Sequence, residues 1–325
     1  MKAVLCRDFA PYSGLKVEEV DDPVAGEGMV IVDVKAAGVN FPDILLVEGK
    51  YQMKPPLPFI PGGECAGVIS EVGPGVKGFK PGDRVIAATM LNAFAEKAAA
   101  HVSAIAPMPA SMPFEEGAAL ITTYATTIHA LKQRGELKAG ETLLVLGAGG
   151  GVGTAAVQLG KAMGATVIAA ARGADKLAAA KEAGADETID YDAEDLKARC
   201  KELTEGKGID VVYDAVGGAY SEPAMRAMGW GGRFLVIGFA AGDIPKMPLN
   251  LALLNSRDIR GVFWGAWAAR DPKGNGANMA ELFALYEQGK IKPMVSHTFT
   301  LEDVTKAFDA LMNREVRGKA VLVTG

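Results

Sequence analysis

A glycine-rich turn between an apolar run and a helical stretch is the feature that most constrains the fold of this chain. The segment LLVLGAGGGVGTAAVQLGKAMGATVIAAARGADK, residues 143–176, holds five glycines within seven residues. That density would destabilise the interior of a helix or strand, because glycine loses the most conformational freedom on folding. A glycine run after an apolar strand and before a helix is instead typical of a dinucleotide-binding loop.

The glycine spacing assigns a role to each position of the turn. The best alignment with the fingerprint G-x-G-x-x-G places Ala148, Gly150 and Gly153 at its three glycine positions, so the first position departs from the pattern. We expect Gly150 to let the backbone approach a pyrophosphate and Gly153 to let helix and strand pack closely. The N–H groups that begin the helix, at Gly151 and Val152, are predicted to bind the negative charge.

The end of the next strand predicts which dinucleotide binds. About twenty residues beyond the turn, an Asp or Glu would bind the ribose 2′-hydroxyl of NAD. The chain has Ala171 and Arg172 there, with Lys176 close by. At that strand end a 2′-phosphate would meet two cations and no carboxylate. The sequence therefore favours NADPH over NADH.

The rest of the chain predicts an α/β protein with two domains. Residues 1–110 read as short strands with Gly-Pro turns, which indicates a compact β domain. A long helical pattern then begins at Pro113, with Glu115 and Glu116 in its first turn. Apolar strands and helices alternate after it, which predicts a doubly wound parallel sheet covered on both faces. The last sixty residues are expected to close back on the first domain.

The composition of the chain indicates which class of partner it binds and in which cellular compartment it is found. The chain has 325 residues and a net charge of -5 without a basic block, which favours a small-molecule partner over nucleic acid or a membrane surface. It shows no signal peptide and no apolar run of about 18 residues, so we expect a soluble cytoplasmic protein. Cys6, Cys65 and Cys200 are too few and too scattered for a disulfide framework.

The chain resembles the medium-chain dehydrogenase/reductase superfamily in the order of its two domains. Within it, AAGVNFPDILLVEGKYQMKPPLPFIPGGECAGVISEVGPGVKGFKPGDRV and GAGGGVGTAAVQLGKAMGATVI resemble the zinc-free NADPH:quinone oxidoreductase branch. The resemblance implies a GroES-like β-rich catalytic domain of residues 1–122 and 264–325 and a Rossmann domain of residues 123–263. It further implies a cleft between the domains and a homodimer or homotetramer.

The residues at the metal positions of the superfamily indicate catalysis without a metal. In the resembling zinc alcohol dehydrogenases, a ligand cysteine falls where Asn40 stands and a ligand histidine where Gly63 stands. Glu64 and Cys65 remain nearby, but two residues cannot complete a tetrahedral site. The chain has no four-cysteine cluster, and its histidines show no ligand spacing: His101, His129 and His297.

The resemblance also implies contacts position by position. For the cofactor it points to a cleft asparagine, a helix threonine, three contacts around the adenosine phosphate, and residues after the last strands: Asn40, Thr126, Lys176, Tyr191, Arg314, Ile237, Phe263 and Trp264. Turn capping for Asn40, an ordinary helix position for Thr126 and core packing for Tyr191 are the structural alternatives. The aromatic run that includes Trp267 either lines the nicotinamide end of the cleft or forms a dimer edge.

The predicted chemistry is hydride transfer from NADPH to a quinone or an α,β-unsaturated carbonyl. Negative charge then develops on the acceptor oxygen, so the site requires hydrogen-bond donors, for which Asn40 and Tyr51 are the candidates. Either Tyr51 or solvent delivers the proton. The predicted substrate contacts are Leu45, Tyr51, Phe239 and Trp264, and Leu45 stands where the resembling bacterial enzymes often have tyrosine.

Other functions remain open at the level of sequence. An enoyl-thioester reductase acting on acyl-CoA belongs to the same superfamily, and a basic patch including Lys50 and Lys54 would favour it. An NADPH-binding sensor with little turnover is a further possibility, although no added domain or charged tail supports it. A zinc alcohol dehydrogenase is disfavoured by Asn40 and Gly63.

Overall fold

A computed structural model describes residues 1–324, which form two compact units. The first unit comprises Met1–Thr122 and the chain from Pro293 onward, and the second comprises Thr123–Lys292. The second unit thus ends at Lys292, later than residue 263, the end of the Rossmann domain that the family resemblance implies. The domain bounds that the resemblance implies remain a prediction.

The first unit begins with seven strands and two short helices. The long strand at its centre, with sequence MVIVDVKAAGV, is buried along most of its length. The elements are β1 (Lys2–Leu5), β2 (Lys16–Glu19), β3 (Met29–Val39), α1 (Phe41–Val47), β4 (Glu64–Val72), β5 (Arg84–Ala88), β6 (Lys97–His101), β7 (Ile105–Pro107) and α2 (Phe114–Ala118). Pro113 precedes α2, and Glu115 and Glu116 lie in its first turn.

The helical pattern that begins at Pro113 is not one α-helix. After α2 the chain forms π-helical turns over Ile121–Ala125 and His129–Arg134, on either side of α3 (Thr126–Ile128). The Thr127 hydroxyl donates to the carbonyl of Thr123 at 2.7 Å and so competes for the acceptor of an α-helical hydrogen bond. Such side-chain competition loosens the helical ladder.

The second unit is a six-stranded parallel sheet with helices along the chain between its strands. Its elements are β8 (Thr142–Leu146), α4 (Gly151–Ala162), β9 (Thr166–Ala171), α5 (Ala174–Glu182), β10 (Glu187–Asp190), α6 (Leu196–Leu203), β11 (Ile209–Asp214), α7 (Ser221–Ala227), β12 (Met228–Val236), α8 (Asn250–Leu254), β13 (Asp258–Gly261), α9 (Trp264–Arg270) and α10 (Pro272–Glu287). The strand order is β10-β9-β8-β11-β12-β13, which reverses direction at β8. Ligands of such sheets bind at the carboxyl ends of the strands beside the reversal.

The late boundary between the units follows from side-chain packing of α9 and α10. The ring of Trp267 stacks on His129 with centroids 4.2 Å apart, and the Gln133 amide donates to Asn278 at 3.0 Å. The Gln158 amide also donates to the carbonyl of Lys292 at 3.0 Å. Residues after β13 therefore complete the second unit. The apolar residues of these two helices do not reveal from sequence which core they cover.

The chain then returns to the first unit through β14 (Val295–Thr300), α11 (Val304–Met312) and β15 (Lys319–Val323). β15 pairs antiparallel with β3 and parallel with β14, in a seven-stranded sheet ordered β14-β15-β3-β4-β5-β7 with β6 also on β3. The expected α/β class, with a β-rich unit and a doubly wound parallel sheet, is confirmed. Of the last sixty residues, which were expected to close on the first domain, only those from Pro293 onward lie in the first unit. Within residues 1–324, no helix is both long and apolar enough to cross a bilayer.

Candidate dinucleotide site and buried polar cluster

The glycine turn follows the central strand β8 at its carboxyl end. Gly147 has φ +73°, a left-handed conformation that favours glycine, and its N–H donates to the carbonyl of Ala170 at 2.9 Å. The alignment with the fingerprint placed the first turn position at Ala148, whereas the left-handed residue is Gly147, one position earlier. An alanine at position 148 is therefore compatible with the turn, because Ala148 does not adopt a left-handed backbone conformation.

Two further glycines meet different surroundings. A Cβ atom at Gly153 would lie 2.1 Å from the Gly147 carbonyl oxygen, so only glycine lets α4 approach the turn this closely. A Cβ atom at Gly150 would meet nothing nearer than that same oxygen at 3.5 Å. Gly150 therefore leaves an open approach to the backbone, which suits the pyrophosphate of a dinucleotide.

The amino terminus of α4 supplies hydrogen-bond donors to this opening. Gly150 precedes the helix in an extended conformation, and Gly151, Val152 and Gly153 form its first turn. The first N–H groups of a helix have no carbonyl partner within the helix and carry partial positive charge. The Thr127 hydroxyl lies 3.5 Å from the Val152 carbonyl, next to the half-buried Thr126.

The cations predicted for the adenosine phosphate lie beside the turn. Lys176, in the first turn of α5, packs so closely that a Cβ atom at Gly149 would be 2.7 Å from its own Cβ. Arg172 is exposed directly after β9. Its Nε lies 2.6 Å from Oδ2 of Asp192, and it donates to the Tyr220 hydroxyl at 2.9 Å.

Tyr191 lies at the same strand ends. Its ring packs against that of Tyr220, with centroids 4.0 Å apart, and Asp192 follows it in the chain. Asp192 was not predicted, because the expected carboxylate position lies near residue 171, at the end of β9. The available signal was the acidic run DYDAED at the end of the neighbouring strand.

Asp214, at the carboxyl end of β11, holds the loop next to the turn and was also missed. Its Oδ1 accepts from the N–H groups of Val216 and Gly217, each at 2.8 Å, and its Oδ2 accepts from the Ser221 hydroxyl at 2.6 Å. Burial raises the pKa of this carboxyl, and the three hydrogen bonds oppose the shift. The donors that oppose the shift are the same ones that fix the loop.

The predicted residues after β12 and β13 differ in their exposure and in their hydrogen bonds. The Ile237 N–H donates to the Asp214 carbonyl at 2.9 Å, and the Phe239 ring covers Gly217. The Trp264 indole donates to Asn275 at 2.9 Å, while Phe263 is 73% exposed. Phe263 is thus the exposed aromatic residue of this run, whereas Trp264 and Trp267 are half-buried.

In the first unit, Asn40 belongs to a buried polar cluster between β3, β4 and β15. The Asn40 amide donates to Glu64 Oε1 at 2.7 Å and to the Gly38 carbonyl at 3.3 Å. Its oxygen accepts from Lys319 Nζ at 2.6 Å. Both amide N–H groups are thus engaged, and a substrate oxygen would have to displace one of these acceptors.

Lys319, which sequence reasoning missed, is the centre of that cluster. Its ammonium donates to the Val39 carbonyl at 2.9 Å and to Glu64 Oε1 at 2.7 Å. The side chains of Lys319 and Glu64 are 6% and 1% exposed. The other oxygen of Glu64 accepts from the Thr122 N–H at 2.8 Å, so the buried charges are fully hydrogen-bonded.

Burial raises the pKa of two titratable groups beside this cluster. Burial raises the pKa of Asp43 to about 7, although its carboxylate accepts from the Asn40 backbone N–H at 2.8 Å. Burial also raises the pKa of the Cys65 thiol to about 12. Cys65 is therefore a protonated thiol at neutral pH, a poor metal ligand and a poor nucleophile.

Three other residues of the first unit were predicted to contact the substrate or the cofactor. Leu45 is half-buried in α1, and its carbonyl accepts from the N–H groups of Lys50 and Tyr51. Within residues 1–324 the Tyr51 hydroxyl has no hydrogen-bond partner. Arg314 is exposed just after α11, with φ +61°.

Other charged or metal-binding candidates are separated or already paired. Lys50 pairs with Glu48 at 2.7 Å, and Lys54 lies over the ring of Phe9. His101 and His297 each contact a serine hydroxyl. Among residues 1–324, no group of three or more His, Cys, Asp or Glu side chains is placed to hold a metal.

Comparisons with known proteins agree with this geometry. The family "Alcohol dehydrogenase GroES-like domain" matches residues 26–127, and "Zinc-binding dehydrogenase" matches residues 151–281. The chain is 37% identical to the quinone oxidoreductase-like protein 2 homolog of Nematostella vectensis, over 99% of this chain and 89% of that one. It is 35% identical to the quinone oxidoreductase of Pseudomonas aeruginosa, over 97% and 98% of the two chains.

Among solved structures, the chain is similar to the quinone oxidoreductase of Escherichia coli complexed with NADPH. The TM-score is 0.93 at 31% identity, and the match covers 100% of both chains. With the doubly wound sheet, the glycine turn and these matches, the chain belongs to the quinone oxidoreductase family of the medium-chain dehydrogenase/reductase superfamily.

Proposed function

We propose that the protein is a zinc-independent oxidoreductase that uses NADPH to reduce a quinone or an α,β-unsaturated carbonyl. The observation that carries the proposal is the glycine turn, in which Gly153 allows close packing and Gly150 leaves the backbone open at the strand ends. A relative with this fold is described in complex with NADPH. When bound, NADPH supplies the hydride.

In this proposal the second unit binds and orients the dinucleotide. The N–H groups of Gly151, Val152 and Gly153 bind the pyrophosphate, and Lys176 and Arg172 bind the 2′-phosphate. Tyr191 packs beside the adenosine, and Thr126, Ile237, Phe263 and Trp264 line its further course. Arg314 is proposed as an additional phosphate contact, as the family resemblance implies.

Tyr51 is the proposed donor to the substrate oxygen. Its hydroxyl is available, whereas the Asn40 N–H groups already donate to Glu64 and Gly38. A phenol that donates to an oxygen on which negative charge develops lowers the barrier and also holds a proton ready for transfer. The Asn40 side chain is then a polar surface of the site that its own hydrogen bonds hold in place. The proposed apolar substrate contacts are Leu45, Phe239 and Trp264.

The proposed independence from zinc rests on charge. Asn40 stands at one of the superfamily's ligand positions, and its oxygen is already bound by the Lys319 ammonium at 2.6 Å. A positive charge held there repels a metal ion over the few ångströms involved. Gly63 offers no ligand atom at the second position.

Assays with several acceptors test the activity. We expect purified protein to oxidise NADPH with ortho- or para-quinones or simple enones, at the same rate after dialysis against a chelator. Loss of activity on dialysis would contradict the metal-free site. Preference for a short enoyl-CoA would identify an enoyl-thioester reductase instead, and binding of NADPH without oxidation by any acceptor would identify a sensor.

A Lys176→Ala variant tests the cofactor assignment. Removing one cation from the phosphate is expected to weaken NADPH binding by about fivefold to tenfold and to leave NADH binding almost unchanged. Fluorescence titration with both dinucleotides measures the two affinities. An unchanged ratio of affinities would show that Lys176 does not contact the phosphate.

We further propose a homodimer or homotetramer assembled through the second unit. β13 is one of the two edge strands of its sheet, and large apolar side chains of the neighbouring segments are exposed: Trp230, Leu249, Leu253, Leu254 and Phe263. Exposed edges and apolar patches of this kind are typically covered by a partner. Leu253→Glu is expected to lower the mass measured by light scattering, while Met90→Glu, at an exposed apolar residue of the first unit, leaves it unchanged.

The proposed compartment is the cytoplasm. All three cysteines are buried free thiols, which is the usual state of cysteines in a reducing environment. Fractionation of cells that express the natural protein checks this assignment.

A further inference from the structure

Asp192 introduces a negative charge into the group of residues that the 2′-phosphate of NADPH is proposed to contact. Arg172 follows β9, Asp192 follows Tyr191 after β10, and Tyr220 follows β11. All three therefore lie at the carboxyl ends of parallel strands, the edge where these sheets bind nucleotides. The side chains of Arg172 and Asp192 are 50% and 42% exposed, so both are accessible to a ligand.

The three side chains form a closed set of hydrogen bonds. Arg172 Nε lies 2.6 Å from Asp192 Oδ2, and another guanidinium nitrogen donates to the Tyr220 hydroxyl at 2.9 Å. The Tyr220 hydroxyl donates in turn to Asp192 Oδ1 at 2.8 Å. Two nitrogens of the Arg172 guanidinium are thus already engaged, one by a carboxylate and one by a phenol, and are not free to donate to another anion.

We propose that Asp192 competes with the 2′-phosphate for Arg172 and thereby sets how strongly the protein prefers NADPH over NADH. The inference rests on the proposed use of NADPH. A phosphate that binds Arg172 must take Nε–H from Asp192 or share the guanidinium with it, and either arrangement brings two anions together. NADH has a hydroxyl at that position and leaves the ion pair intact.

An Asp192→Asn variant tests the competition by direct binding. We expect the Kd for NADPH to fall about threefold to fivefold, the range that an exposed ion pair supplies, while the Kd for NADH stays within about twofold. The gain should shrink at high salt, since both interactions are screened. Asp186→Asn is the matched control, because Asp186 pairs with Lys161 at 2.7 Å, is 38% exposed, and precedes β10 at the opposite edge of the sheet.

A second background separates competition from simple repulsion. If Asp192 acts by holding Arg172, the gain in NADPH affinity from Asp192→Asn should largely disappear in an Arg172→Ala protein. A gain of the same size in that background would show direct repulsion of the phosphate and would overturn the competition. A weaker affinity for NADPH in Asp192→Asn would also overturn it, because Asp192 would then be orienting Arg172 towards the phosphate.

The outcomes distinguish this inference from the function on which it rests. If the unmodified protein binds NADPH and the ratio of affinities does not change in Asp192→Asn, only the role of Asp192 is wrong. If the unmodified protein binds neither dinucleotide, the proposed function fails, and the role of Asp192 fails with it.

Discussion

Gly150 and Gly153 lie three positions apart and meet opposite constraints. The space at Gly153 is closed by the carbonyl of Gly147, and the space at Gly150 is open. Gly153 serves the packing of the protein itself, and Gly150 is proposed to serve a ligand. The two requirements can be measured separately.

We expect Gly153→Ala to destabilise the protein by about 1–3 kcal/mol, because the new methyl group overpacks the contact between α4 and the turn. Gly150→Ala should cost less than about 1 kcal/mol, the difference between glycine and alanine before a helix. It should nevertheless weaken NADPH binding at least tenfold. Urea unfolding and fluorescence titration measure the two quantities, and a large stability loss in Gly150→Ala would contradict the open space at that residue.

Asp43 predicts a pH dependence of stability. Burial raises its pKa to about 7 in the folded protein, above the value of about 4 for an unfolded aspartate. The folded state then binds the proton more tightly, so the contribution of Asp43 to stability is present below pH 4 and is lost as the pH rises towards 7. Above pH 7 the protein carries the full cost of a buried carboxylate.

Asp43→Asn should remove this contribution, because the amide oxygen can still accept from the Asn40 N–H and carries no charge. We expect the variant to gain stability relative to the unmodified protein as the pH rises from 5 to 8. Chemical unfolding at several pH values measures the difference. A difference between the two proteins that is constant with pH would mean that Asp43 is ionised throughout.

At the scale of elements, Lys319 connects three strands of the first unit. It lies on β15, and its acceptors are the carbonyl of Val39 on β3 and the carboxylate of Glu64 on β4. Removing the ammonium would leave Glu64 buried without its cation, which is strongly unfavourable. The arrangement is therefore a structural requirement of this sheet.

Lys319→Met is expected to destabilise the protein by about 3–5 kcal/mol, the range found when one partner of a buried pair is removed. Lys306→Met, which removes an exposed pair with Asp303, should cost less than about 1 kcal/mol. Adding Glu64→Gln to Lys319→Met should recover part of the loss. If both lysine variants cost the same, the Glu64 charge is not buried as described.

The same elements show how far sequence predicts this fold. The turn between β8 and α4 was predicted because its residues are adjacent in the chain and each carries a local conformational requirement. The bond of Lys319 to Glu64 joins residues 255 positions apart, and the bond to Asn40 spans 279. No local pattern relates such residues, and so the position of Lys319 beside Asn40 and Glu64 was missed.

The π-helical turns and the second unit boundary were missed for related reasons. A threonine hydroxyl that captures a helix carbonyl looks in sequence like any other polar residue of a helix. The apolar residues of α9 and α10 indicate that these helices cover a core without indicating which one. In both cases, the decisive contacts are made in three dimensions by residues whose types are compatible with either outcome.

At the scale of the whole molecule, the second unit is continuous in the chain and the first is not. Residues 123–292 contain every strand of the parallel sheet, whereas residues 1–122 lack β14 and β15. The core of the first unit includes residues from both segments, such as Val34 and Leu322. The units therefore differ in what they need in order to fold.

We expect a fragment of residues 123–292 to fold and to bind NADPH, and a fragment of residues 1–122 to remain unfolded or to aggregate. Circular dichroism and dinucleotide titration of the two fragments check this expectation. A cooperatively folded fragment 1–122 would show that β15 is dispensable for the sheet around β3.

The position of β15 beside β3 also has a consequence for synthesis in the cell. A ribosome makes residues 123–292 before it reaches β15. The polypeptide must therefore carry an incomplete first sheet throughout that interval, with the Ala36–Val39 part of one edge of β3 uncovered. The second unit is completed first, while the first unit still lacks β14 and β15. Chaperone occupancy on nascent chains should accordingly be concentrated on the early segment and should end when the last strand emerges.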